Sequence, residues 1–276
     1  MWISMKSASL WRECFIIGLA VLGIVSSVLT ISGLSLYDLL DDAGWMGRLS
    51  IVSAVYLVIV IMSLYVKIYA LKSGFKTKIR GVQFEIKQGD IFASSGWKVI
   101  PFNEYFDTQA DNLVISESSL NGQLVLKLRR EGSLDDLKYA ITHDRNSPLL
   151  GQEKSGNRIK YPLGCIKQYE RYMLLSFSHF NAQNEAHLTW AEYEGCLRNM
   201  WREICRIYAD IPIYLPLLGS GITRIEGNMQ KSDFDLLKCM LCTFRSSDIQ
   251  LNKPITILLT EDAMKKINLY DLKGIL

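Results

Sequence analysis

Two long apolar stretches dominate the first quarter of the chain. No charged residue occurs between Cys14 and Tyr37 or between Leu49 and Val66, and each stretch comes close to or exceeds the roughly 20 residues that cross a bilayer as a helix. The connection between them is short, so the pattern predicts a transmembrane hairpin with spans at residues 14–36 and 49–71, after an N-terminal segment at 1–13. Neither charge-free stretch carries the ionisable group that a transporter or proton pump usually keeps near the midplane.

The charges beside these stretches predict an orientation. The connection holds Asp38, Asp41 and Asp42 but only one basic residue, Arg48, whereas basic residues crowd the outer ends of both spans. Cytoplasmic segments carry an excess of Lys and Arg, so both ends of the hairpin are expected in the cytoplasm. The basic residues that flank the outer ends of the two spans are Lys6, Arg12, Lys67, Lys72, Lys76, Lys78 and Arg80.

The formal net charge of +3 comes mostly from this cluster beside the membrane. Such a cluster favours contact with anionic lipid headgroups, and nucleic acid is not expected as a partner. The predicted location is a bacterial inner (cell) membrane, with a multi-pass anchor and a soluble cytoplasmic domain.

Beyond a basic tether at residues 72–80, the pattern from 81 to 276 alternates between strand and helix periods. Alternation of this kind predicts an α/β fold with helices on both faces of a sheet. Strands are predicted at Val82–Phe92, Trp97–Phe102, Tyr172–Phe180, Ile211–Leu217 and Ile255–Leu259. Helices are predicted at Leu113–Leu128 (capped by Ser116 or Ser118), Leu134–Thr142 (capped by Ser133), Leu188–Tyr208, Ser232–Thr243 and Glu261–Tyr270.

Three of the connecting loops follow predicted strands, at Gly89–Phe92, Asn103–Thr108 and Leu218–Arg224. Ligands of open α/β sheets bind beyond the carboxyl ends of strands, so these loops are expected to converge. In the last of them two glycines bracket Ser220, and glycine allows backbone N–H groups to turn toward an anion. It is neither a Walker loop nor a dinucleotide fingerprint. Taken alone, a Gly-x-Gly sequence is more often a plain turn between strand and helix than a phosphate site.

No metal site is predicted. Cys239 and Cys242 have the spacing of a ligand pair, but no second pair or nearby histidine completes a zinc site. The three histidines, His143, His179 and His187, share no ligand spacing. Five of the six cysteines fall in the domain placed in the reducing cytosol, so disulfides are not expected.

Taken together, three segments resemble a macro domain, the ADP-ribose-binding fold: a strand ending in Gly89-Asp90-Ile91, a second strand leading to Asn103, and the late loop from Pro216 to Gly221. With two membrane spans in front, the chain is more closely similar to the macro-like effectors of type II Thoeris antiphage systems. The resemblance covers residues from about Gly81 to the end. The segments that carry it are Ile100–Thr108, Ser178–Phe180 and Leu215–Arg224.

This resemblance implies a three-layer, macro-domain-like mixed sheet that follows the two-helix hairpin. It also implies that Asp90 accepts a hydrogen bond from the adenine amino group, that the glycine loop wraps a diphosphate, and that the Asn103 loop faces the distal ribose. Carboxylates and glycine amides suit these roles chemically. The implied ligand-binding residues are Asp90, Ile91, Phe102, Asn103, Asp107, Leu218, Gly219, Ser220, Gly221, Ile222, Thr223 and Arg224.

One feature departs from the macro-domain pattern. Macro domains usually have small residues with paired asparagines in the second loop, whereas here Glu104, Tyr105 and Phe106 follow a single Asn103. The departure argues against ADP-ribosyl hydrolysis and predicts a remodelled pocket around the distal ribose. Glu104 and Arg224 are candidates for contact with charged groups of the ligand there, or are ordinary surface charges.

The function implied is that of a receptor and not of an enzyme. In the resembling effectors the signal is an ADP-ribose conjugate, with histidine as the attached amino acid, and it is made from NAD by a partner with a TIR domain. Binding of this nucleotide second messenger would promote homo-oligomerisation and membrane disruption, and so abortive infection. No cofactor is expected. The alternatives are a membrane-bound ADP-ribosyl hydrolase that uses Asp107, Glu104 or His179 as base, and a constitutive membrane scaffold that binds proteins.

Overall fold

A computed structural model describes residues 7–33, 44–72, 74–143, 153–155, 158–181, 185–221, 223–226 and 231–274. The chain divides into two compact units. One unit contains Met1–Phe75 together with Asn268–Ile275, and the other contains Lys76–Ile267.

The first unit is built on two helices, α1 (Ala8–Ile31) and α2 (Trp45–Lys72). Both are long and apolar enough to cross a membrane. Both helices begin before the predicted spans, because helical hydrogen bonding continues into the polar residues on either side of an apolar stretch. The N-terminal end of α1 is capped by the Ser7 hydroxyl, which accepts from the Leu10 N–H. The predicted end of the first span, at residues 34–36, lies outside the described residues.

The C-terminal 3₁₀ helix (Leu269–Gly274) packs within this same unit. Lys67 contacts Glu13 and donates to the Tyr270 hydroxyl at 3.1 Å, and the Ser7 hydroxyl donates to Asp271 at 2.6 Å. The last residues therefore belong with the two helices, although the sequence placed them in the ligand-binding domain. The buried apolar cluster here consists of Leu10, Cys14, Val60, Leu64 and Tyr270.

The second unit is built on a mixed sheet with the strand order β1-β2-β11-β9-β3-β7-β8-β10, with β6 pairing on β7. A separate pair of short strands, β4 and β5, is antiparallel. The strands are β1 (Phe75–Ile79), β2 (Val82–Gln88), β3 (Trp97–Asn103), β4 (Glu153–Ser155), β5 (Arg158–Lys160), β6 (Ile166–Tyr169), β7 (Tyr172–Phe180), β8 (Ala186–Thr189), β9 (Ile213–Pro216), β10 (Arg224–Glu226) and β11 (Ile255–Leu259).

Five neighbouring strands of this sheet, β2, β11, β9, β3 and β7, run parallel. Their carboxyl ends therefore meet at one edge. All five residues of β11 are buried, as a central parallel strand with both faces covered requires. The pairing of β3 with β7 shifts by one residue between Phe102 and Asn103. A bulge of this kind re-aims the side chains that follow it.

Helices cover both faces of the sheet. On one face Leu124 and Leu137 pack in a cluster with Ile100 and Leu174. On the other, Phe84 meets the ring of Trp201 edge-on. The helices of this unit are α3 (Leu120–Glu131), α4 (Leu134–Thr142), α5 (Trp190–Ile207), α6 (Asp233–Arg245) and α7 (Glu261–Lys266).

Local chemistry fixes the ends of these helices. Thr189 and Glu192 form a reciprocal capping box at the start of α5, and Ser232 and Asp235 do the same for α6. Ser133 occupies the N-cap position of α4 without a side-chain bond. The helical spacing of Trp190, Tyr193, Leu197, Trp201, Ile204 and Tyr208 predicts a core-facing stripe along α5. Tyr193, Leu197, Trp201 and Ile204 are fully buried and Tyr208 nearly so, but Trp190 is only partly buried.

Four predicted segments differ. The strand predicted at Val82–Phe92 ends at Gln88, because Asp90 caps a short 3₁₀ helix at Ile91–Ala93. The helix predicted at Glu261–Tyr270 ends at Lys266, where Ile267 takes an extended conformation.

The helix predicted from Leu113 begins only at Leu120, because the Asp111 carboxylate accepts from the N–H groups of Leu113 and Val114 and competes with helical pairing. Ser119, not Ser116 or Ser118, is its cap. Residues 75–79 of the predicted tether form strand β1. Arg80 and Gly81, both with positive φ, join it to β2 in a two-residue hairpin.

Candidate ligand-binding site

A cavity of about 670 Å³ opens at the carboxyl edge of the parallel strands. This volume falls in the range of small-molecule and cofactor sites. All three loops singled out in the sequence contribute to its wall, as do the ends of β7 and β11. The apolar part of the wall includes Ile91, Phe102, Leu113, Ile115, Phe177, Phe180, Leu217, Leu218 and Leu258.

The loop after β2 brings Asp90 to the cavity. Its Oδ1 accepts from the Phe92 N–H at 2.9 Å and caps the short 3₁₀ helix Ile91–Ala93. The residue is exposed although its neighbour Ile91 is buried. The carboxylate is thus held in place through one oxygen and can accept from a ligand through the other.

The loop after β3 is organised around Asn103, which is 2% exposed. Its Oδ1 accepts from the N–H groups of Tyr105 and Asp107, and its Nδ2 donates to Asp107 Oδ2 at 2.7 Å. These local bonds close a tight turn in which Phe106 has a positive φ of 53°. Asn103 and Phe102 both border the cavity, and Asp107 does not.

The loop after β9 borders the cavity from Pro216 to Gly221 and again at Thr223. Gly219 has a φ of +86°, and a Cβ there would lie 3.0 Å from Ile225 Cδ1, so the turn requires glycine. A Cβ at Gly221 would have nothing within 4 Å. Among the described residues, the N–H groups of Gly219 and Gly221 have no bonded partner, which leaves them available to an anion.

The wall that sequence reasoning missed is the segment before α3. Predicted as helix, it instead places side chains of Asn112, Ser116, Ser118 and Ser119 along the cavity, with Asn121 from the first turn of α3. Gly122 allows α3 to pack closely against this segment, because a Cβ at residue 122 would lie 2.1 Å from the Ser116 carbonyl oxygen. The signal was the run of Asp, Asn and Ser from 111 to 119, which favours side-chain bonding to the backbone over helix.

Two of the predicted contact residues lie away from the cavity wall. Asp107 contacts Asn103 from behind, and Arg224 is an exposed residue of β10 that pairs with Glu185 at 3.0 Å. Ile222 lies outside the described residues. The other nine predicted residues all border the cavity.

An ion cluster centred on the buried Glu104 lies next to the site without bordering it. Glu104, 3% exposed at its side chain, contacts His179 Nδ1 at 2.5 Å and Lys160 Nζ at 3.1 Å, while His179 Nε2 lies 3.4 Å from Glu192. Glu104 and His179, two of the bases considered for a hydrolase, therefore pair with each other. On β7 it is Phe177, Ser178 and Phe180 that border the cavity.

The interactions in this cluster shift the pKa values of both Glu104 and His179. Burial raises the pKa of Glu104, but the hydrogen bonds from His179 and Lys160 outweigh it and the net pKa is lowered. The hydrogen bond to Glu104 raises the pKa of His179 against the opposing effect of burial. The pair is therefore ionised over a wider pH range than either group alone.

Comparison with known proteins identifies the family. The family model described as "Thoeris protein ThsA, Macro domain" matches residues 84–260. The Thoeris protein ThsA of Bacillus amyloliquefaciens (strain Y2) is 37% identical over 206 residues, a match that covers 71% of this chain and 68% of that protein. The chain belongs to the Thoeris ThsA macro-domain family.

Membership of the ThsA family confirms the predicted macro-domain fold and makes the chain a Thoeris antiphage defence protein. Solved structures similar to it include the Oceanobacillus iheyensis macrodomain with MES bound (14% identity, TM-score 0.42, 73% of this chain and 96% of that one). The same macrodomain with ADP is 13% identical, with a TM-score of 0.42, over 73% of this chain and 95% of that one. Within the described residues, no group of three or more His, Cys, Asp or Glu is placed to hold a metal.

Proposed function

We propose that this ThsA-family chain is a membrane-anchored receptor whose macro domain binds an ADP-ribose conjugate and answers by disrupting the membrane. One observation carries the proposal: Asp90, Asn103 and the glycine loop, which are distant in sequence, border a single cavity. An extended ligand with a base, a diphosphate and a sugar requires three such groups in one place.

The chemistry of each part supports this ligand. The exposed Asp90 carboxylate suits the amino group of adenine, as an acceptor suits a donor. The N–H groups at Gly219 and Gly221 suit a diphosphate, and no acidic residue of the loop opposes it. Phe102, Phe177 and Phe180 supply apolar wall for the less polar faces of the base and sugar.

The attached group is proposed to be histidine, and the producer a TIR-domain partner that consumes NAD. The similarity to type II Thoeris effectors supports both. A ligand bound stoichiometrically, and not hydrolysed, is proposed because Glu104 and His179 are held in a pair beside the cavity.

Two helices long and apolar enough to cross a membrane support the anchor. The proposed location is the bacterial inner membrane, with the macro domain in the cytoplasm, as the basic flanks favour. Ligand binding would promote homo-oligomerisation through a higher affinity for the assembled state, since a ligand shifts an equilibrium only by its differential affinity. The consequence would be disruption of the membrane and abortive infection.

Dye release from liposomes tests this function. The full chain is reconstituted into anionic vesicles loaded with a self-quenching dye, and histidine-ADP-ribose, ADP-ribose or buffer is added. We expect release with the conjugate, less with ADP-ribose, and none with buffer. The Gly221→Glu variant, whose new side chain meets open space in the protein but a negative charge in the ligand, should stay silent. Equal release from all samples, or none from any, contradicts the proposal.

A further inference from the structure

The C-terminal 3₁₀ helix, Leu269–Gly274, forms a clasp that contacts both long helices of its unit. Its Tyr270 is 3% exposed and completes a small buried cluster that the two helices share. The other members of the cluster are Leu10 and Cys14 of α1 and Val60 and Leu64 of α2. Burial of apolar area stabilises this contact, so the clasp holds the start of α1 against α2.

Polar contacts surround the cluster and join the same three elements. Lys67 of α2 contacts Glu13 of α1 and donates to the Tyr270 hydroxyl at 3.1 Å. The Ser7 hydroxyl at the start of α1 donates to Asp271 Oδ1 at 2.6 Å. All of these contacts are between side chains, and the Glu13 side chain is 43% exposed. Water can therefore replace them at a modest cost, and the clasp can leave without unfolding either helix.

The clasp follows the cavity wall closely along the chain. Leu259 and Thr260, at the end of β11, both border the cavity. The Thr260 hydroxyl accepts from the Ala263 N–H and so caps the short helix α7, after which Ile267 takes an extended conformation. Only α7, Ile267 and Asn268 separate the cavity wall from the clasp. A change at this end of β11 can therefore reach the clasp through one short helix.

We infer that the clasp is an autoinhibitory contact, which keeps α1 and α2 of one chain closed until ligand binding releases it. The inference rests on the proposed function and names its regulation. While the clasp is bound, Tyr270 covers apolar groups of both helices and Asp271 pairs with Ser7. Release would uncover these groups for contact with a second copy of the chain. A ligand causes release only by binding the released state more tightly.

A reversible crosslink tests the inference. Ser7→Cys and Asp271→Cys are combined with Cys205→Ser, which removes the exposed native thiol. A short bis-methanethiosulfonate reagent joins the two new thiols in detergent, and the chain is then reconstituted into dye-loaded vesicles. Saturating histidine-ADP-ribose should release no more dye than buffer does, and reduction of the crosslink should restore release. Ser7→Cys with Cys205→Ser, treated in the same way, is the matched control and should still respond.

Ligand binding to the crosslinked chain gives a second readout. Calorimetry should show that histidine-ADP-ribose still binds, but about tenfold more weakly than to the reduced chain. The affinity falls because the crosslink excludes the state that the ligand prefers. Binding without release separates the clasp from the ligand site itself.

Asp271→Ala tests the opposite change. Loss of its charge-assisted hydrogen bond to Ser7 should raise ligand-free dye release about tenfold. Asp262→Ala is the matched control, because it removes an exposed carboxylate from the neighbouring α7, and it should leave release at the wild-type level. A clasp that only stabilised the fold would lower the melting temperature of Asp271→Ala without raising ligand-free release.

The outcomes separate the inference from the proposed function. If the wild-type chain responds to the ligand and the crosslinked chain responds equally, the inference is wrong and the proposed function stands. A loss of release that reduction does not restore, or wild-type ligand-free release from Asp271→Ala, also overturns the inference. If the wild-type chain neither binds histidine-ADP-ribose nor releases dye, the proposed function fails and takes the inference with it.

Discussion

Asn103 and Glu104 are neighbours at the end of β3, yet they serve two different polar clusters. Asn103 borders the cavity. In the part of the chain that the structure describes, Asn121 Oδ1 and the N–H groups of Gly219 and Gly221 have no bonded partner. Glu104 belongs to the ion cluster, where a carboxylate, an imidazole and an ammonium group satisfy one another.

This contrast distinguishes the cavity wall at Asn103, which is suited to bind a ligand, from the ion cluster at Glu104, which supports the fold. A buried polar atom without a partner, such as Asn121 Oδ1, destabilises a fold unless a ligand supplies the missing bond. Gly219 and Gly221 are more exposed, so water can bond to their N–H groups until a ligand displaces it. A self-satisfied cluster needs no ligand. The Glu104 N–H donates to the Ser178 carbonyl and its carbonyl accepts from Tyr161, so the cluster fixes the strand ends that present Asn103 and Ser178 to the cavity.

The largest effect is expected at the glycine loop. Gly221→Glu should lower the affinity for ADP-ribose by about 100-fold or more, because a carboxylate would oppose the diphosphate at close range. Isothermal titration calorimetry measures it. Gly221→Gln is the matched control of the same size without charge, and it should cost much less. An equal loss of affinity in the Glu and Gln variants would mean that the size of the new side chain matters and its charge does not. The proposal that this loop binds the diphosphate would then be wrong.

A smaller effect is expected at Asp90. Asp90→Asn keeps an oxygen that can cap Phe92 but replaces the second acceptor by a donor. The affinity for ADP-ribose should fall about tenfold. Competition between ADP-ribose and its hypoxanthine analogue sharpens the test, because the analogue presents an acceptor in place of the amino group. Wild type should prefer adenine and the variant should not; a preference that survives in the variant would exclude Asp90 from base recognition.

The ion cluster should affect stability and its pH dependence more than ligand selectivity. His179→Gln should lower the free energy of unfolding by about 2 kcal/mol near pH 5.5, since it removes the imidazolium from a buried carboxylate. Denaturant unfolding measured across pH gives the value. The relative affinities for ADP-ribose and ADP should stay the same.

The sign of the pH dependence follows from the two shifts. The raised pKa of His179 means that its contribution is full below about 6.5, the unfolded value, and is lost as pH rises through the higher folded value. The lowered pKa of Glu104 means that its contribution is full above about 4.3 and is lost as pH falls through the lower folded value. Lys160 and Glu192 face the pair, and His187 lies beside His179. A gap between wild type and variant that grows above pH 7 would contradict this assignment.

The same comparison explains what the sequence could predict. Period and composition were sufficient for β11, whose predicted bounds are those observed, and for the stripe of core residues on α5. The end of β3 was predicted to within one residue, because Asn103 marks a turn after an apolar run. The strand predicted to reach Phe92 ends at Gln88, before the Gly89-Asp90 turn. Residues 113–119 were predicted as helix because the helical period was given more weight than the Asp, Asn and Ser residues among 111–119. The Asp111 carboxylate accepts from the N–H groups of Leu113 and Val114, and these bonds compete with helical pairing.

The direction of side chains was the second feature that the sequence could not predict. Asn103 and Glu104 are adjacent, and the bulge between Phe102 and Asn103 sets which of them meets the cavity. A single sequence does not reveal a bulge. Asp107 was predicted as a direct ligand contact, but it does not border the cavity. It accepts hydrogen bonds from the side-chain amides of Asn103 and Asn121.

Calorimetry of the full chain with histidine-ADP-ribose, followed by mass spectrometry of the recovered ligand, tests the central claim most directly. The account predicts one ligand bound per macro domain, recovered intact, and no binding to the Gly221→Glu variant. Absence of heat with the wild-type chain, or a ligand recovered as hydrolysis products, would contradict it.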